Sequence, residues 1–293
     1  MEASKNGTFL LSRDYMDYHA HRFEDCSQMV YADGHLAAVL PAHAVQSQIH
    51  SHQGLTYGGF VVSRGMTTPL MLDVFSVVID DMRRRCFTAA VYKTIPHIYH
   101  RMPAEEDRYA LFRANAVLYR RDLLSAIDMA RRPVPQDRRR RSAAKAMRSG
   151  IDASESDDWS GYWALLETHL QGRYGVLPVH SLDEIRLLHA RFPHNIRLFV
   201  ATLKGALVGG AVIYETHEVA HLQYAAANSD GFALGALDHL FFHLLNDVFA
   251  TKRWFDFGNS TEQQGRWLND GLVEHKEGFG ARAVAHDYYR FTV

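Results

Sequence analysis

The residues best suited to chemistry lie near the end of the chain, where a polar segment follows an aromatic strand. Residues 254–257 place one carboxylate among aromatic side chains and predict a buried strand. Several polar side chains then follow close to glycines, and binding groups concentrate in loops at strand ends. We expect four of these residues to bind an acceptor substrate or to position a catalytic base: Asn259, Ser260, Glu262 and Asn269.

A second set of polar residues follows predicted strands in the first half of the chain. Residues 50–59 join histidines and a tyrosine to a pair of glycines, and residues 91–100 carry a lysine at the end of a strand. Polar residues at the ends of adjacent strands in an open α/β sheet point into a shared crevice. We expect acceptor binding from Tyr57, Lys93, His97 and Tyr99. For Lys93 the two interpretations are a phosphate contact and a charged strand edge that discourages aggregation.

Two residues compete for the role of general base. Asp256 lies on a strand predicted to be buried, where desolvation would raise the pKa of its carboxyl group toward the working range. His180 precedes a predicted helix that Ser181 caps, with Glu184 completing a capping box. The positive end of that helix would lower the pKa of His180 and keep it neutral as a base. A surface or staple position is the alternative for this histidine.

The sequence predicts no metal site. His50 and His52 share one face of a strand predicted over residues 49–55, but no carboxylate or cysteine stands at ligand spacing beside them. The chain contains 18 histidines, so close pairs arise by chance.

Composition narrows the class of protein only coarsely. With 293 residues the chain exceeds the usual size of a single core, so two domains are expected. The 32 basic and 33 acidic side chains give a net charge of −1, which favours a small-molecule partner over nucleic acid or an anionic membrane. The chain has two cysteines, no leader pattern and no run long enough to span a membrane, so we expect a cytoplasmic protein.

The order of predicted elements occurs twice along the chain. Gly34 and Gly205 each lie in a turn between two apolar strands, and glycine there supplies the positive φ of a tight hairpin. Each hairpin is followed by a strand, by a helix whose apolar residues recur every three or four positions, and by another strand. These elements cover residues 49–55, 70–84 and 87–92 in the first half, and residues 220–225, 234–250 and 253–257 in the second. The nearly equal offsets favour a duplicated unit, with chance recurrence as the alternative.

Two prolines mark the join between the halves. Pro133 and Pro135 stop a helix, so we expect one domain over residues 1–135 and another over residues 136–293. Four consecutive arginines at 138–141 then open a short helix, either as a solvated face or as a grip on phosphate. Residues 157–171 predict a further helix, which Ser156 could cap.

The segment from Asp256 onward resembles the signature of a known family. An Asp-Phe-Gly triplet at 256–258 is followed by Gly-Leu at 271–272 and by Lys-Glu-Gly-Phe-Gly at 276–280. This spacing is similar to that of the Fem-type aminoacyltransferases and their acyl-CoA-dependent relatives in the GNAT (N-acetyltransferase) superfamily. The resemblance implies an α/β (α+β) fold of two GNAT-like domains in tandem, each a mixed, mainly antiparallel sheet flanked by helices. The first would be a degenerate, acceptor-side domain, and the second the donor-side, catalytic one.

The resemblance also implies a chemistry, the direct attack of an amine on a carbonyl without a covalent enzyme intermediate. That reaction needs a backbone N–H for the oxyanion, a base for the ammonium and an acid for the leaving group. A strand over residues 222–227 would supply the N–H, and Tyr224 would be the acid. A half-buried strand tyrosine without a catalytic role fits the same pattern.

The donor site is implied by position rather than by a full motif. Acyl-CoA-dependent members cradle pyrophosphate on a glycine-rich turn that leads into a helix. Residues 228–237 stand at that place, so Gly231, Gly235 and Ala236 are the expected donor-binding residues. Lys276 would hold an anionic part of donor or acceptor. The turn lacks the tight Gly-x-Gly spacing and a basic residue and carries Asp230, which leaves the donor open.

We therefore expect an N-acyltransferase that moves an acyl group from acyl-CoA to an amino group of a cell-surface polysaccharide or amino-sugar precursor. Its acceptor would be a small-molecule amine or a nucleotide-linked sugar, and its chemistry would need no metal. Two alternatives stay open: a Fem-type aminoacyltransferase that uses aminoacyl-tRNA on a cell-wall or secondary-metabolite precursor, and a non-catalytic tandem binding module. Motifs of serine hydrolases, P-loop NTPases and paired-cysteine sites are absent from the sequence. The oligomeric state is not indicated.

Overall fold

The computed structural model describes residues 3–293, which form two compact units. Unit 1 comprises residues 3–123 together with Thr261–Leu268 and Val284–Val293. Unit 2 comprises Leu124–Ser260 and Asn269–Ala283. Each unit is therefore assembled from segments that are distant in sequence. The assignment of two domains that meet near residue 135 stays a prediction.

Unit 1 contains two main sheets. In the first, β4 (His43–Val45) pairs antiparallel with β1 (Glu24–Asp25) on one side and with β5 (Gln48–His50) on the other. β5 then pairs parallel with β7 (Ala89–Lys93), and β7 pairs antiparallel with β16 (Arg282–Thr292). The second sheet joins β2 (Gln28–Ala32), β3 (His35–Leu40) and β6 (Val61–Val62) in antiparallel pairs. A small ribbon pairs β14 (Thr261–Glu262) with β15 (Trp267–Leu268). The helices of this unit are α1 (Arg13–Met16), α2 (Thr68–Arg84) and α3 (Glu106–Arg113), with 3-10 turns at Phe9–Leu11, Asp17–Arg22 and His97–Tyr99.

Unit 2 is built on one mixed sheet. The strands β9 (Ile151–Glu155), β10 (Ile196–Leu203), β11 (Ala206–Glu215) and β12 (Val219–Ala227) follow one another in antiparallel pairs. β12 then pairs parallel with β13 (Trp254–Asn259), which pairs antiparallel with the end of β8 (Val117–Asp128). Its helices are α4 (Asp137–Arg148), α5 (Trp159–Tyr174), α6 (Leu182–Arg191), α7 (Ser229–Leu234), α8 (Ala236–His243) and α9 (Asp270–Glu277), with a 3-10 turn at Met129–Arg131 and a π-helical turn at Leu244–Val248. The prediction of an α/β fold with mixed, mainly antiparallel sheets flanked by helices is confirmed.

Both predicted hairpins are confirmed, and for the expected reason. Asp33 and Gly34 have φ of 50° and 78°, and Lys204 and Gly205 have φ of 52° and 80°. Two consecutive residues with positive φ give the turn whose twist matches that of the flanking strands. β2 and β3 flank the first turn, and β10 and β11 flank the second.

The strand expected over residues 49–55 is wrong in its extent. β5 ends at His50, and His52 adopts a φ of 67°. These two histidines therefore do not share one face of a strand. The strand that pairs with the first hairpin is β6. The order of hairpin, third strand, helix and strand is thus found in both units, as β2-β3-β6-α2-β7 and as β10-β11-β12-α8-β13.

The helix expected over residues 234–250 begins two residues later, as α8, and ends in the π-helical turn at Leu244–Val248; a separate short helix, α7, precedes it. α7 ends at Leu234, Gly235 adopts a left-handed φ of 81°, and α8 begins at Ala236. A Cβ atom at Gly235 would stand 2.3 Å from the Ser142 hydroxyl oxygen on α4, so this close approach needs glycine. An apolar periodicity does not reveal such a break, because the pattern continues on both sides of it.

The helix expected over residues 157–171 forms two residues later, as α5. Its N-cap is Asp158, whose carboxylate accepts a hydrogen bond from the Gly161 N–H at 2.9 Å, rather than Ser156. The capping box predicted before α6 is confirmed, since Ser181 and Glu184 each accept a hydrogen bond from the backbone N–H of the other.

An aromatic cluster in unit 2 fixes the orientation of β13. The rings of Phe255 and Phe257 lie 4.9 Å apart, and the Phe257 ring also contacts Phe241 at 5.4 Å and Phe279 at 5.6 Å. Because alternate residues of a strand face opposite sides, Asp256 points away from this cluster although it is fully buried. Among residues 3–293, no helix has the length and apolar character needed to cross a membrane.

Two glycine substitutions test the packing around α7. A Cβ at Gly231 would stand 2.1 Å from the Val208 carbonyl oxygen, so Gly231→Ala should lower the free energy of unfolding by about 2 kcal/mol or more. Gly172 lies inside α5 with nothing within 4 Å of its added Cβ, so Gly172→Ala should raise that free energy by about 0.5–1 kcal/mol. Urea unfolding measures both, and equal effects would contradict the packing described.

Candidate active site

The strand β12 contains the irregularity that sets up the candidate site. Its register with β11 shifts between Leu222, opposite Ile213, and Tyr224, opposite Val212, so Gln223 is an extra residue in the ladder. On its other side, β12 pairs with β13 only from Val219 to His221. Bulges redirect side chains and are frequent beside active sites. The backbone after His221 is therefore released from β13 where Tyr224 projects.

Tyr224 and His180 form a hydrogen-bonded pair. The His180 Nδ1 atom lies 2.7 Å from the Tyr224 hydroxyl oxygen, and the ring of Trp163 packs edge-on against the tyrosine at 5.4 Å. His180 is buried and Tyr224 half-buried. Burial raises the pKa of Tyr224 to about 12, so the phenol is protonated at neutral pH. The structure thus brings together two of the three residues expected to be catalytic.

Asp256, the third of these residues, is engaged elsewhere. One carboxylate oxygen lies 2.9 Å from the Nδ1 atom of His221, and the other accepts a hydrogen bond from the Gly258 N–H at 2.7 Å. His221 and Asp256 stand directly opposite each other in the last pair of the β12–β13 ladder. A carboxylate bound to one ring nitrogen orients an imidazole and selects its tautomer.

His221 is the functional candidate that the sequence analysis missed. Nothing in the sequence separates it from the other histidines, because its pairing with Asp256 depends on the register of two parallel strands that are 35 residues apart. A carboxylate on one strand and a histidine on another become a pair only when that register is known.

The loop after β13 is held by Lys276. Its ammonium group, on α9, donates to the carbonyls of Gly258 at 3.0 Å and Asn259 at 2.6 Å and to the Ser260 hydroxyl at 2.9 Å. Burial lowers the pKa of this lysine to about 8. All three of its donors are therefore used within unit 2, where the sequence suggested contact with a substrate anion.

The polar residues of this loop differ in their surroundings. Ser260 is buried, and its hydroxyl oxygen also lies 3.0 Å from that of Ser125. Asn269 caps α9 by accepting from the Leu272 N–H at 3.0 Å. Asn259 and Glu262 are exposed, and Glu262 belongs to the β14–β15 ribbon of unit 1. Binding of an acceptor by these residues stays a prediction.

A groove in unit 2 runs past the beginning of α7. It has a volume of about 840 Å³ and lies between α5 and the end of β12, with His169, Asn228 and Phe232 in its lining. The side chain of Asn228 accepts from the Gly231 N–H at 2.9 Å, so that amide is already capped. Gly231 and Ala236 are buried, and Gly235 packs on Ser142. Donor binding by these three residues stays a prediction.

The arginines of α4 are mostly engaged in ion pairs. Arg139 reaches the buried Asp238 at 3.1 Å, Arg138 reaches Glu274 at 2.7 Å, and Arg140 pairs with Asp137 on its own helix. These ion pairs within the protein make it less favourable for the arginines of α4 to bind a phosphate group.

The residues expected to bind an acceptor in unit 1 fall into two groups. Tyr57 and Tyr99 are buried with their rings 4.3 Å apart, and the Tyr57 hydroxyl is 2.7 Å from that of Thr8. His97 is exposed at the start of a 3-10 turn. Lys93 is buried and lines a cavity of about 450 Å³. The structure thus gives Lys93, among these four, a place on a cavity.

Histidines also cluster in unit 1 without forming a metal centre. The ring of His43 lies 5.4 Å from that of His50 and 5.0 Å from that of His52. In the part of the chain that the structure describes, no group of three or more His, Cys, Asp or Glu side chains could hold a metal ion. Burial lowers the pKa of His50 to about 4 and of His52 to about 3, so both are neutral near pH 7.

Comparison with known proteins gives a matching domain and a shared fold. Residues 130–267 match the family described as an acetyltransferase (GNAT) domain, whereas a comparison with curated proteins gives no match. The crystal structure of FemX superposes with a TM-score of 0.73 at 11% identity, over 100% of this chain and 94% of that one.

Two further solved structures share this fold. The C-terminal domain of a putative lysylphosphatidylglycerol synthetase from Agrobacterium fabrum gives a TM-score of 0.61 at 13% identity, over 90% of this chain and 83% of that one. L-PGS from Bacillus licheniformis gives a TM-score of 0.61 at 12% identity over the same shares. At such identities the likeness shows the fold alone. With the matched domain, it confirms the predicted resemblance: residues 130–267 carry a GNAT acetyltransferase domain, and the chain shares its fold with FemX.

Proposed function

We propose that this protein is an N-acyltransferase that transfers an acyl group from acyl-CoA to an amino group of a cell-surface polysaccharide or amino-sugar precursor. The observation that carries the proposal is the Tyr224–His180 pair beside the point where β12 and β13 separate. An acid hydrogen-bonded to a second titratable group, next to a strand edge that no longer pairs with β13, suits acyl transfer to an amine.

The proposed reaction assigns a role to each group. Backbone N–H groups of β12 beyond His221 stabilise the oxyanion that forms when the amine attacks the carbonyl. His180 accepts the proton that the ammonium loses, and Tyr224 donates its phenolic proton to the leaving group as the carbon–sulfur bond breaks. The hydrogen bond of 2.7 Å between them then lets His180 return a proton to Tyr224. The reaction ends with both residues in their starting protonation states.

Asp256 is proposed to act through His221 rather than as the base. Both of its oxygens accept hydrogen bonds inside unit 2, so it is better placed to orient the His221 ring than to receive a substrate proton. This arrangement favours His180 over Asp256 in the competition for the role of base.

One observation supports the alternative in which aminoacyl-tRNA is the donor. The pKa of Tyr224, raised to about 12, suits protonation of a strongly basic oxygen leaving group better than protonation of a thiolate, since thiols titrate near about 8.5. The Asp230 side chain at the first turn of α7 also disfavours pyrophosphate. Acyl-CoA stays the primary proposal because the matched domain is an acetyltransferase domain.

The acid assignment is tested with a pair of matched tyrosine substitutions. Tyr224→Phe removes only the phenolic oxygen and should lower kcat/KM by about 100-fold, because a general acid contributes at least that much. Tyr174→Phe makes the same change at an exposed position of α5 and should leave kcat/KM unaltered. Urea unfolding should give similar stabilities for both variants. Near-normal turnover by Tyr224→Phe would remove the tyrosine from the mechanism.

The base assignment is tested by the pH dependence of kcat/KM. A base must be deprotonated to work, so the rate of the unaltered protein should fall on the acidic side, and His180→Gln should abolish that limb. Asp256→Asn should keep the limb but lower the free energy of unfolding by about 1–3 kcal/mol, since a buried hydrogen-bonded carboxylate is replaced. If Asp256→Asn abolishes the limb and His180→Gln keeps it, the roles are reversed.

The donor is tested by thermal stabilisation. A ligand at about 100 times its Kd stabilises the folded state by about 2.7 kcal/mol, so coenzyme A should raise the Tm by several degrees. An aminoacyl-tRNA minihelix serves as the second ligand. Stabilisation by the minihelix alone would replace the primary proposal with the tRNA-dependent one, and an unchanged Tm with both ligands would favour the binding-module alternative.

A further inference from the structure

The outer face of α5 forms one wall of a groove in unit 2. This groove of about 840 Å³, called the α5 groove here, is lined by the helix from its N-cap to its last turn. Five of the lining residues stand at steps of three and four along the helix: Asp158, Gly161, Leu165, Thr168 and Gly172. Residues at such steps form one straight seam on a helix, and a second helix can pack along a seam of this kind.

The α5 groove offers apolar surface rather than free polar groups. The Thr168 hydroxyl donates to the Ala164 carbonyl at 2.8 Å, and the Asn228 side chain accepts from a backbone N–H of α7 at 2.9 Å. Leu165 stays partly exposed on one wall, and Phe232 is 49% exposed on the other. A groove whose polar side chains are satisfied locally suits the apolar face of a protein segment better than a nucleotide or a sugar.

The seam on α5 complements itself when two copies of the helix run antiparallel. With a twofold axis at Leu165, residues equally far on either side of it face each other, so Leu165 meets its own counterpart and Gly161 faces His169 of the second copy. Asp158 faces Gly172 of the second copy in the same way. The two glycines leave room for the larger side chain opposite, so the helix axes approach to about 8–10 Å.

The charges on α5 favour the same arrangement. Asp158 and Arg173 lie at opposite ends of the helix, both are exposed, and within residues 3–293 neither belongs to an ion pair. In the antiparallel arrangement each Asp158 lies beside Arg173 of the second copy, and the twofold axis produces this pair twice. A parallel arrangement would bring like charges together, so the charges select the antiparallel one.

We propose that the α5 groove is the interface of a homodimer, in which the α5 helices of two copies pack antiparallel and each lies in the groove of the other. A twofold interface requires one surface that complements itself, and both the seam and the charges of α5 meet that condition. The inference does not depend on the proposed reaction. The dimer holds in place a helix whose inner face supports the candidate site, because Trp163 packs against Tyr224 at 5.4 Å.

Sedimentation velocity of the whole chain tests the dimer with two matched substitutions. The unaltered protein should be mostly dimeric at about 100 μM, as expected for a dimer Kd of about 10 μM or below. Leu165→Glu sets two carboxylates against each other on the twofold axis and should raise this Kd by about tenfold or more. Leu187→Glu makes the same change at an exposed position of α6 outside the groove and should leave the Kd unaltered.

Reversing the charges separates this interface from any other. Arg173→Glu and Asp158→Lys should each be monomeric, because like charges then face each other. Mixed together, the two variants should form a heterodimer, since each acidic residue again meets a basic one. Circular dichroism checks that Asp158→Lys is folded, because the Asp158 carboxylate also caps α5 by accepting from the Gly161 N–H at 2.9 Å.

Cysteine cross-linking tests the twofold axis without altering any charge. The background carries Cys86→Ser, which removes the exposed native thiol. With copper phenanthroline as oxidant, Leu165→Cys should form a disulfide-linked dimer, because the two thiols meet on the axis. Leu187→Cys under the same conditions should stay monomeric.

The opposite results would overturn the proposal. These are a monomer at the concentration given, a dimer that Leu165→Glu leaves intact, an equal loss with Leu187→Glu, and a mixture of the folded Arg173→Glu and Asp158→Lys variants that stays monomeric. A monomer whose Tm rises with coenzyme A, with the rise lost in Leu165→Glu, would assign the groove to a donor instead. A dimer as proposed without acyl transfer would leave this inference in place and refute the proposed function.

Discussion

The arrangement of unit 2 depends on where two parallel strands stop pairing. β12 and β13 are joined from Val219 to His221, and the last pair sets His221 opposite Asp256 with a hydrogen bond of 2.9 Å between them. The Gly258 N–H binds the other oxygen of the same carboxylate. One buried carboxylate thus ties the end of the ladder to the start of the next loop. Tyr224 lies just beyond this point, where the backbone of β12 no longer pairs with β13.

Buried lysines serve different purposes in the two units. Lys276 uses its three donors on two carbonyls and the Ser260 hydroxyl, and it feels the charge of Asp256, so its pKa falls only to about 8. Lys93 has two carbonyl partners and a neighbouring arginine, and its pKa falls to about 7. The first lysine fixes the loop that follows β13. The second lines a cavity of about 450 Å³ in unit 1.

The polar residues that the sequence singles out lie in different surroundings. Ser260 and Asn269 resembled binding groups because they are polar and close to glycines, yet one is buried under Lys276 and the other caps α9. Tyr224 and His180 were chosen from the implied chemistry, and they do meet, across 44 positions of sequence. The contact between Tyr224 and His180 is easier to anticipate than the contacts of Ser260 and Asn269, because hydrogen bonds that fix a loop leave no mark on residue type.

The sequence by itself determined the local elements and the family. Gly34 and Gly205 predict two hairpins because glycine allows the positive φ that their turns need, and Ser181 with Glu184 predicts the start of a helix. The signature from Asp256 onward indicates the superfamily. These features depend on neighbouring residues or on short spacings. Only the tertiary structure decided the break at Gly235, the pairing of His221 with Asp256 and the burial of Lys93 against two backbone carbonyls. Each of these depends on strand register, helix contact or burial between residues far apart in the chain, which no local pattern specifies.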